Sequence, residues 1–467
     1  MTDPASLTIA EAARAIQRRE LSPTELTRAC LERIERLNPR LNAFVLVTAE
    51  RAQADAARAE EELQAGIYRG PLHGIPVGLK DLYDTAGIET AAGSAVLRGR
   101  IPERDAAAAA MLREAGAVLL GKTNTHEFAW GTTTNNPHTG PTRNPWDPER
   151  IPGGSSGGSG AAIAARLALG TLGTDTGGSI RIPAALCGCV GLKPTFGRVS
   201  RAGIIPMSWQ FDHAGPIART VEDAAILLQA IAGYDPDDFA TVPVPVPDYR
   251  AALVPDVRGL RIGVPRDQFF GLLDPEVLVA VEEALETFRS LGAVVEDVDS
   301  GFTREQVISA WRLVNVEGRL YHAPYLEQHP EAYSEELRNI LLQPLPEPLD
   351  LATACLDSYR IKEGVRRVLQ SVDLLAAPTT MRPASRIGED PVEVEGVQLS
   401  TGAAFASLTM PFNLAGVPAI SIPCGFSSEG LPIGLQLAAR PFDEPTLIRA
   451  AFSYECATDW HRREPPL

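Results

Sequence analysis

The sequence predicts an α/β fold built as one large domain, on three observations. Short apolar runs alternate with helix-period segments from Gly70 onward. The alternation returns as a β-α-β pattern between Leu260 and Val298. No repeat or linker divides the 467 residues. Apolar residues make up 45% of the chain and charged ones 22%, the balance of a folded globular protein.

Taken in order, residues 1–65 read as a helical segment packed on a core of residues 66–467. Ser22-Pro23-Thr24-Glu25 is a capping box with proline at the first helical position, where a missing N–H costs nothing. Leu26, Cys30, Ile34 and Leu37 follow at helical spacing, and residues 48–63 form an Ala/Glu/Arg-rich helix. Pro71, Gly74, Pro76 and Gly78 then punctuate a short apolar stretch that ends at Lys80-Asp81. Residues 104–114 read as a helix ending at Gly116, and residues 117–120 as a buried strand stopped by Gly121. Five prolines between Pro137 and Pro152 mark a long irregular connection into Gly153-Gly154-Ser155-Ser156-Gly157-Gly158-Ser159-Gly160. Strands at 260–264 and 293–298 flank a helix at 275–291. Residues 302–351 are helical in pattern but broken by Pro344, Pro346 and Pro348. Residues 417–423 and 431–437 read as late core strands, and 444–456 as a closing helix.

Charge and cysteine usage narrow the function. Lys and Arg number 43 against 59 Asp and Glu, a formal charge of −16, which argues against a basic nucleic-acid-coating surface. No segment approaches the roughly 20 apolar residues that cross a bilayer. Asp3, Glu11, Arg14 and Arg18 stand where a signal peptide would be apolar. A cytoplasmic protein without a membrane partner is the expectation. The six cysteines are too scattered for a disulfide framework. Cys187 and Cys189 form a CxC pair with no second pair or clustered histidine at zinc-site spacing, so neither metal nor cofactor is expected.

Two glycine-rich segments carry the chemistry. Composition alone would make residues 153–160 a flexible linker. A small-residue run at 161–165 follows at once, however, and a second segment, Gly173-Thr174-Asp175-Thr176-Gly177-Gly178-Ser179-Ile180-Arg181, also embeds a serine among glycines. Glycine lets backbone N–H groups converge on one point, as an oxyanion hole or anion nest requires. A P-loop would need a lysine that is absent, and no G-x-G-x-x-G opens a helix after a strand. Gly154 to Gly158 does match the G-x-S-x-G elbow of α/β-hydrolases. That elbow follows a core strand, which Asn144-Pro145-Trp146-Asp147-Pro148 cannot form.

Gly74-Ile75-Pro76-Val77-Gly78-Leu79-Lys80-Asp81, Gly121-Lys122-Thr123-Asn124, residues 153–159, residues 173–183 and Cys187 to Thr195 stand in one order, with Asn413-Leu414-Ala415-Gly416 and Gly434-Leu435-Gln436 near the end. In that order they resemble the amidase signature family of serine hydrolases. The resemblance implies a mixed, twisted sheet covered by helices on both faces, a catalytic core at 70–220 and a substrate-side segment at about 300–410. It implies a Ser-cisSer-Lys triad: Lys80 as general base, Ser155 as the bridging serine beside a cis peptide, Ser179 as nucleophile. The amides of Thr176, Gly177, Gly178 and Ser179 would form the oxyanion hole, with Ser156, Asp175 and Arg181 in support. The chemistry agrees, because a serine hydroxyl needs a base and a lysine serves only when neutral. Lowering a lysine from about 10.4 to about 7.5 takes roughly 4 kcal/mol, which burial must supply.

The family holds two kinds of relative: a stand-alone amidase, and the amide-cleaving component of a glutamine-dependent aminoacyl-tRNA amidotransferase. In the amidotransferase component, one aspartate seven residues before the NLAG-type asparagine helps bind the glutamine amino group, and here that position is Ala406. The arginine that this component uses for the glutamine carboxylate would fall near Leu337-Arg338-Asn339-Ile340. The loss of the aspartate, with the stretch Phe211 to Pro216, favours the stand-alone amidase. The expectation is a monomer or homodimer that cleaves a small amide, ester or carbamate without nucleic acid. Trp130, Trp209 and Phe211 are expected to line its substrate pocket.

Overall fold

In the computed structural model, which describes residues 3–467, the chain builds one eleven-stranded sheet. Its strands are Phe44–Val47 (β1), Pro76–Lys80 (β2), Val118–Thr123 (β3), Gly170–Asp175 (β4), Val190–Lys193 (β5), His213–Ala218 (β6), Arg261–Val264 (β7), Val294–Asp297 (β8), Leu374–Pro378 (β9), Ala419–Phe426 (β10) and Pro432–Ala439 (β11). They lie in the order β1-β3-β2-β4-β6-β5-β10-β11-β9-β7-β8. β3, β2 and β4 run parallel, as do β9, β7 and β8, and the strands between them pair antiparallel. The expected α/β fold with a mixed sheet is present.

Successive strand residues face opposite sides of a sheet. Every residue of β2, β4, β5, β6, β9 and β11 is buried, so helices cover both faces of the sheet's middle. The helices Gly157–Ala164 and Arg181–Cys187 pack together against β4, β5, β10 and β11. Val221–Ile231, Pro275–Ser290 and Glu444–Ala457 form another helical group on the sheet. The capping box is made as read: Glu25 N donates to Ser22 Oγ and Ser22 N to Glu25 Oε2, both at 3.1 Å, at the head of the helix Pro23–Leu41.

The N-terminal segment is not purely helical. β1 pairs antiparallel with β3, which binds this segment into the sheet. β3 also continues through Gly121 instead of stopping there. Gly121 sits at φ +150°, and a Cβ there would lie 2.0 Å from Leu46 O. Only glycine lets β1 approach β3 this closely. Among the described residues no helix is long and apolar enough to cross a membrane.

Gly121→Val should separate β1 from β3 and destabilise the protein by about 3 kcal/mol or more. Urea unfolding checks this, and a change within 0.5 kcal/mol would contradict it.

Candidate active site

Three pieces of backbone meet at the C-terminal ends of the parallel strands β2 and β4. β2 ends on Lys80, β4 ends on Asp175 and runs into the loop carrying Ser179, and the 153–156 loop crosses between them. Ser156 ties these together: its N–H donates to Ser179 O (3.3 Å), its hydroxyl to Thr174 O (3.2 Å), and Thr174 N donates to Ser156 Oγ (3.3 Å). The Gly154–Ser155 peptide bond is cis.

Lys80 is fully buried, and its Nζ donates to Ser155 Oγ at 2.7 Å and Thr174 Oγ1 at 2.8 Å. Burial lowers its pKa to about 7, against the opposing pull of Asp212 and Asp175. A substantial fraction is therefore neutral near pH 7, with its lone pair beside a serine hydroxyl. Lys122 and Lys193 are equally buried but differ in partners. Lys193 donates only to the carbonyls of Val417 and Pro194, and Lys122 to Tyr83 O and Thr85 Oγ1. Lys80 alone of the three has only hydroxyl partners, the arrangement a proton relay needs.

The loop that carries Ser179 is fixed by a buried network. Asp175 accepts from Gly178 N (2.7 Å), Ile180 N (3.1 Å), Arg181 Nε (3.1 Å) and Nη2 (3.0 Å), and Asn413 Nδ2 (2.7 Å). Burial acts against its ionisation, yet the Arg181 guanidinium holds it well below the usual carboxylate range. Arg181 in turn donates to Asn413 Oδ1 (2.5 Å) and Gln436 Oε1 (2.9 Å). The two late motifs, quoted without a role in the sequence, thus brace the loop from 230 to 260 residues away. Gly178, at φ +133°, lies where a Cβ would meet Thr409 Oγ1 at 2.1 Å.

The expected oxyanion hole loses one of its four donors. The Gly178 amide is already donated to Asp175, so of the four expected oxyanion donors only Thr176, Gly177 and Ser179 keep an N–H without a partner among the described residues. Thr176 is further held by its hydroxyl bond to Asp212 Oδ1 (2.6 Å), and Asp212 accepts from Met207 N and Ser208 N.

Ser179 opens onto a cavity of about 280 Å³ that also touches His126, Trp130, Thr132, Trp311, Asn315, Glu336, Asp390, Ala406 and Met410. Of the three expected pocket aromatics only Trp130 lines it. Trp209 belongs to a separate cavity of about 230 Å³ with Arg201, Asp212 and Phe239, and Phe211 is a fully buried core residue. Arg338 does not line the cavity, although Glu336 and Ile340 of the same helix do. A larger cavity of about 510 Å³ adjoins it through Trp311, Gly402 and Met410 without reaching Ser179. His126, Asn315, Glu336 and Asp390 carry no motif, and only the expected substrate-side location of residues 300–410 hinted at the last three.

The model of the Amidase family matches residues 25–448. The chain belongs to the amidase signature family. The A subunit of the glutamyl-tRNA(Gln) amidotransferase from Geobacter metallireducens is 43% identical, over 98% of this chain and 98% of its own length. Among solved structures, one described as a vestigial protein complex bearing on the origins of an s-triazine catabolic enzyme superposes with TM-score 0.91 at 36% identity, covering 96% of this chain and 98% of its own. A bacterial aryl acylamidase of the amidase signature family gives TM-score 0.89 at 28% identity, with 98% of each chain covered. As a member of this family the chain is a C–N-cleaving enzyme. These relatives overturn the expected partners. The full-length relative is named as a subunit of a glutamyl-tRNA(Gln) amidotransferase, which stands against the expectation of a monomer or homodimer without nucleic acid.

Arg181→Met should leave Asp175 buried and unpaired and lower stability by about 3–5 kcal/mol in urea unfolding. A loss under 1 kcal/mol would contradict the network's role. If neutral Lys80 is the base, kcat/KM should rise with pH through a midpoint near 7, since the protonated form accepts no proton. A profile flat from pH 5.5 to 8.5 would contradict it.

Proposed function

We propose that this chain is the amide-cleaving component of a glutamyl-tRNA(Gln) amidotransferase, releasing ammonia from glutamine within a complex. Full-length identity of 43% to a protein of that name supports the assignment. The observation that carries the chemistry is the contact between Lys80 Nζ and Ser155 Oγ.

In this reading Ser179 Oγ bonds to the amide carbon while its proton passes to Ser155, whose own proton goes to neutral Lys80. The carbonyl oxygen, now an oxyanion, takes hydrogen bonds from the free amides of Thr176, Gly177 and Ser179. Collapse breaks the C–N bond, and the proton held by Lys80 returns through Ser155 to the departing nitrogen, which leaves as ammonia. Water then enters by the same relay, its proton moving to Lys80 and back to Ser179 as the acyl–oxygen bond breaks and the free acid leaves. Asp175 and Arg181 hold the loop geometry and exchange no proton, because their charges are mutually satisfied.

A second reading, an amidase within a complex that acts on an amide other than glutamine, draws on Ala406 and on a cavity lined by no lysine or arginine among the described residues. Ammonia release from glutamine, measured with and without co-expressed partner proteins, separates the two. The amidotransferase reading expects glutaminase activity that rises at least tenfold with the partners. Turnover of simple amides with no glutaminase activity under either condition would favour the second.

A serine-directed phosphonylating probe should label Ser179, and Lys80→Ala should lower labelling at least 100-fold with the fold intact. Mass spectrometry of the labelled peptide is the check, and labelling confined to another serine would remove the assigned nucleophile.

A further inference from the structure

We propose that Glu127 is a positioning residue for the cavity at Ser179: its carboxylate fixes the helix Glu335–Leu341 as one wall, and substrate affinity depends on that hold. This role rests on Ser179 as the reacting residue.

Glu127 is 1% exposed and does not line the cavity, so it acts there only through its neighbours. A carboxylate taken out of water must recover its hydrogen bonds from the protein. Three segments supply them. Ser94 Oγ donates at 2.6 Å and His138 Nε2 lies at 2.9 Å, both on Oε1, and Ser334 N donates to Oε2 at 3.1 Å. Ser334 stands 207 residues further along the chain and is the N-cap of the helix Glu335–Leu341, whose Glu336 and Ile340 line the cavity. Its hydroxyl accepts from Leu337 N at 3.1 Å, which closes the first turn. One serine thus joins the helix to Glu127 by its N–H and caps it by its side chain.

The next residue extends the same junction. Phe128 stacks on Tyr333, with ring centroids 6.0 Å apart, and meets His322 edge-on at 4.5 Å, while His322 Nδ1 and the Tyr333 hydroxyl are 2.9 Å apart. Glu127 and Phe128 therefore mate with Tyr333 and Ser334, two consecutive residues against two. Phe128 and Ala129 hold φ of 47° and 66°, a left-handed backbone that non-glycine residues keep only where their surroundings impose it. That turn delivers Ala129 and Trp130 to the cavity. On its other side the segment is tied to the loop carrying Ser155, whose carbonyl accepts from Thr125 Oγ1 at 3.0 Å and His126 N at 3.1 Å. Glu127 thus stands between the reacting groups and the wall that faces them. Among the described residues no hydrogen bond links Lys80, Ser155 or Ser179 to the helix itself. A helix released from Glu127 should therefore weaken binding and leave the chemical step nearly intact.

The test compares Ser334→Pro with Ser334→Ala. Both remove the capping hydroxyl, but only proline removes the N–H held by Glu127. Ser334 (φ −60°, ψ 154°) follows an extended Tyr333 (φ −82°, ψ 151°), a backbone that accepts proline. Kinetics are measured on the full chain with its co-expressed partner proteins, using whichever of glutamine and simple amides the wild type cleaves. Ser334→Pro should raise KM at least tenfold over Ser334→Ala, with kcat within threefold. Glu127→Ala deletes the acceptor from the other side and should give the same split, so the result does not hang on one variant's folding. Hydrogen–deuterium exchange should quicken across residues 335–342 in Ser334→Pro and Glu127→Ala, and stay unchanged across residues 170–182. Equal KM in the two Ser334 variants, a loss carried by kcat, or exchange that quickens in both segments alike would overturn the proposal. Failure of the catalytic reading is separately visible as wild-type protein that cleaves none of these amides, while exchange still decides whether Glu127 holds the helix.

Discussion

Everything at this site depends on keeping one lysine dry. Lys80 can act as a base only because burial removes the water that would stabilise its charge, and because no carboxylate touches its Nζ to restore that charge. Asp212 and Asp175 pull the other way from a distance, and burial outweighs them. The surrounding fold supplies that dryness: β2 is buried at every residue, and both neighbouring strands, β3 and β4, pair with it along the stretch that leads to Lys80.

The same interior solves the problem of a buried charge in a second way, a few residues off. Asp175 remains ionised because it is matched in geometry as well as in sign: its carboxylate accepts from backbone and side-chain donors, and the Arg181 guanidinium beside it is held in turn by Asn413 and Gln436. One site thus holds an unpaired lysine that burial makes partly neutral near pH 7 and a paired carboxylate that stays charged. The first can accept a proton and the second fixes a loop, and serine acyl-transfer chemistry needs both a hydroxyl that can be deprotonated and amides that do not move. Donation of the Gly178 amide to Asp175 shows the division of labour: that N–H fixes the turn, which leaves its neighbours free.

The sequence made some elements legible through local chemistry. The Ser22 capping box and the helix near 275–290 follow from caps and periodicity, and the two loops of the candidate site from their glycines. β4, β5 and β6 escaped because strands covered on both faces show no polar alternation, and these are also rich in Gly and Pro. β1 is four residues long and lies between two strong helices. Pocket membership was the least legible. Trp209 and Phe211 lie near the catalytic segment in sequence but face another cavity and the core, whereas Asn315 and Glu336 come from a motif-free helical stretch that the fold brings over Ser179. The acidic balance misled for a different reason, because net charge describes one chain's surface and a complex can carry contacts that the chain alone does not.

The chemistry of the site stands or falls on the protonation state of Lys80. Nitrogen-15 NMR of lysine side chains, assigned by comparison with Lys80→Met, would follow its Nζ directly as pH is raised. A lysine kept dry by burial should titrate at this nitrogen near pH 7 in the folded protein. Titration near the ordinary lysine value of about 10.4 would contradict it, because a lysine charged throughout the neutral range could not take a proton from Ser155.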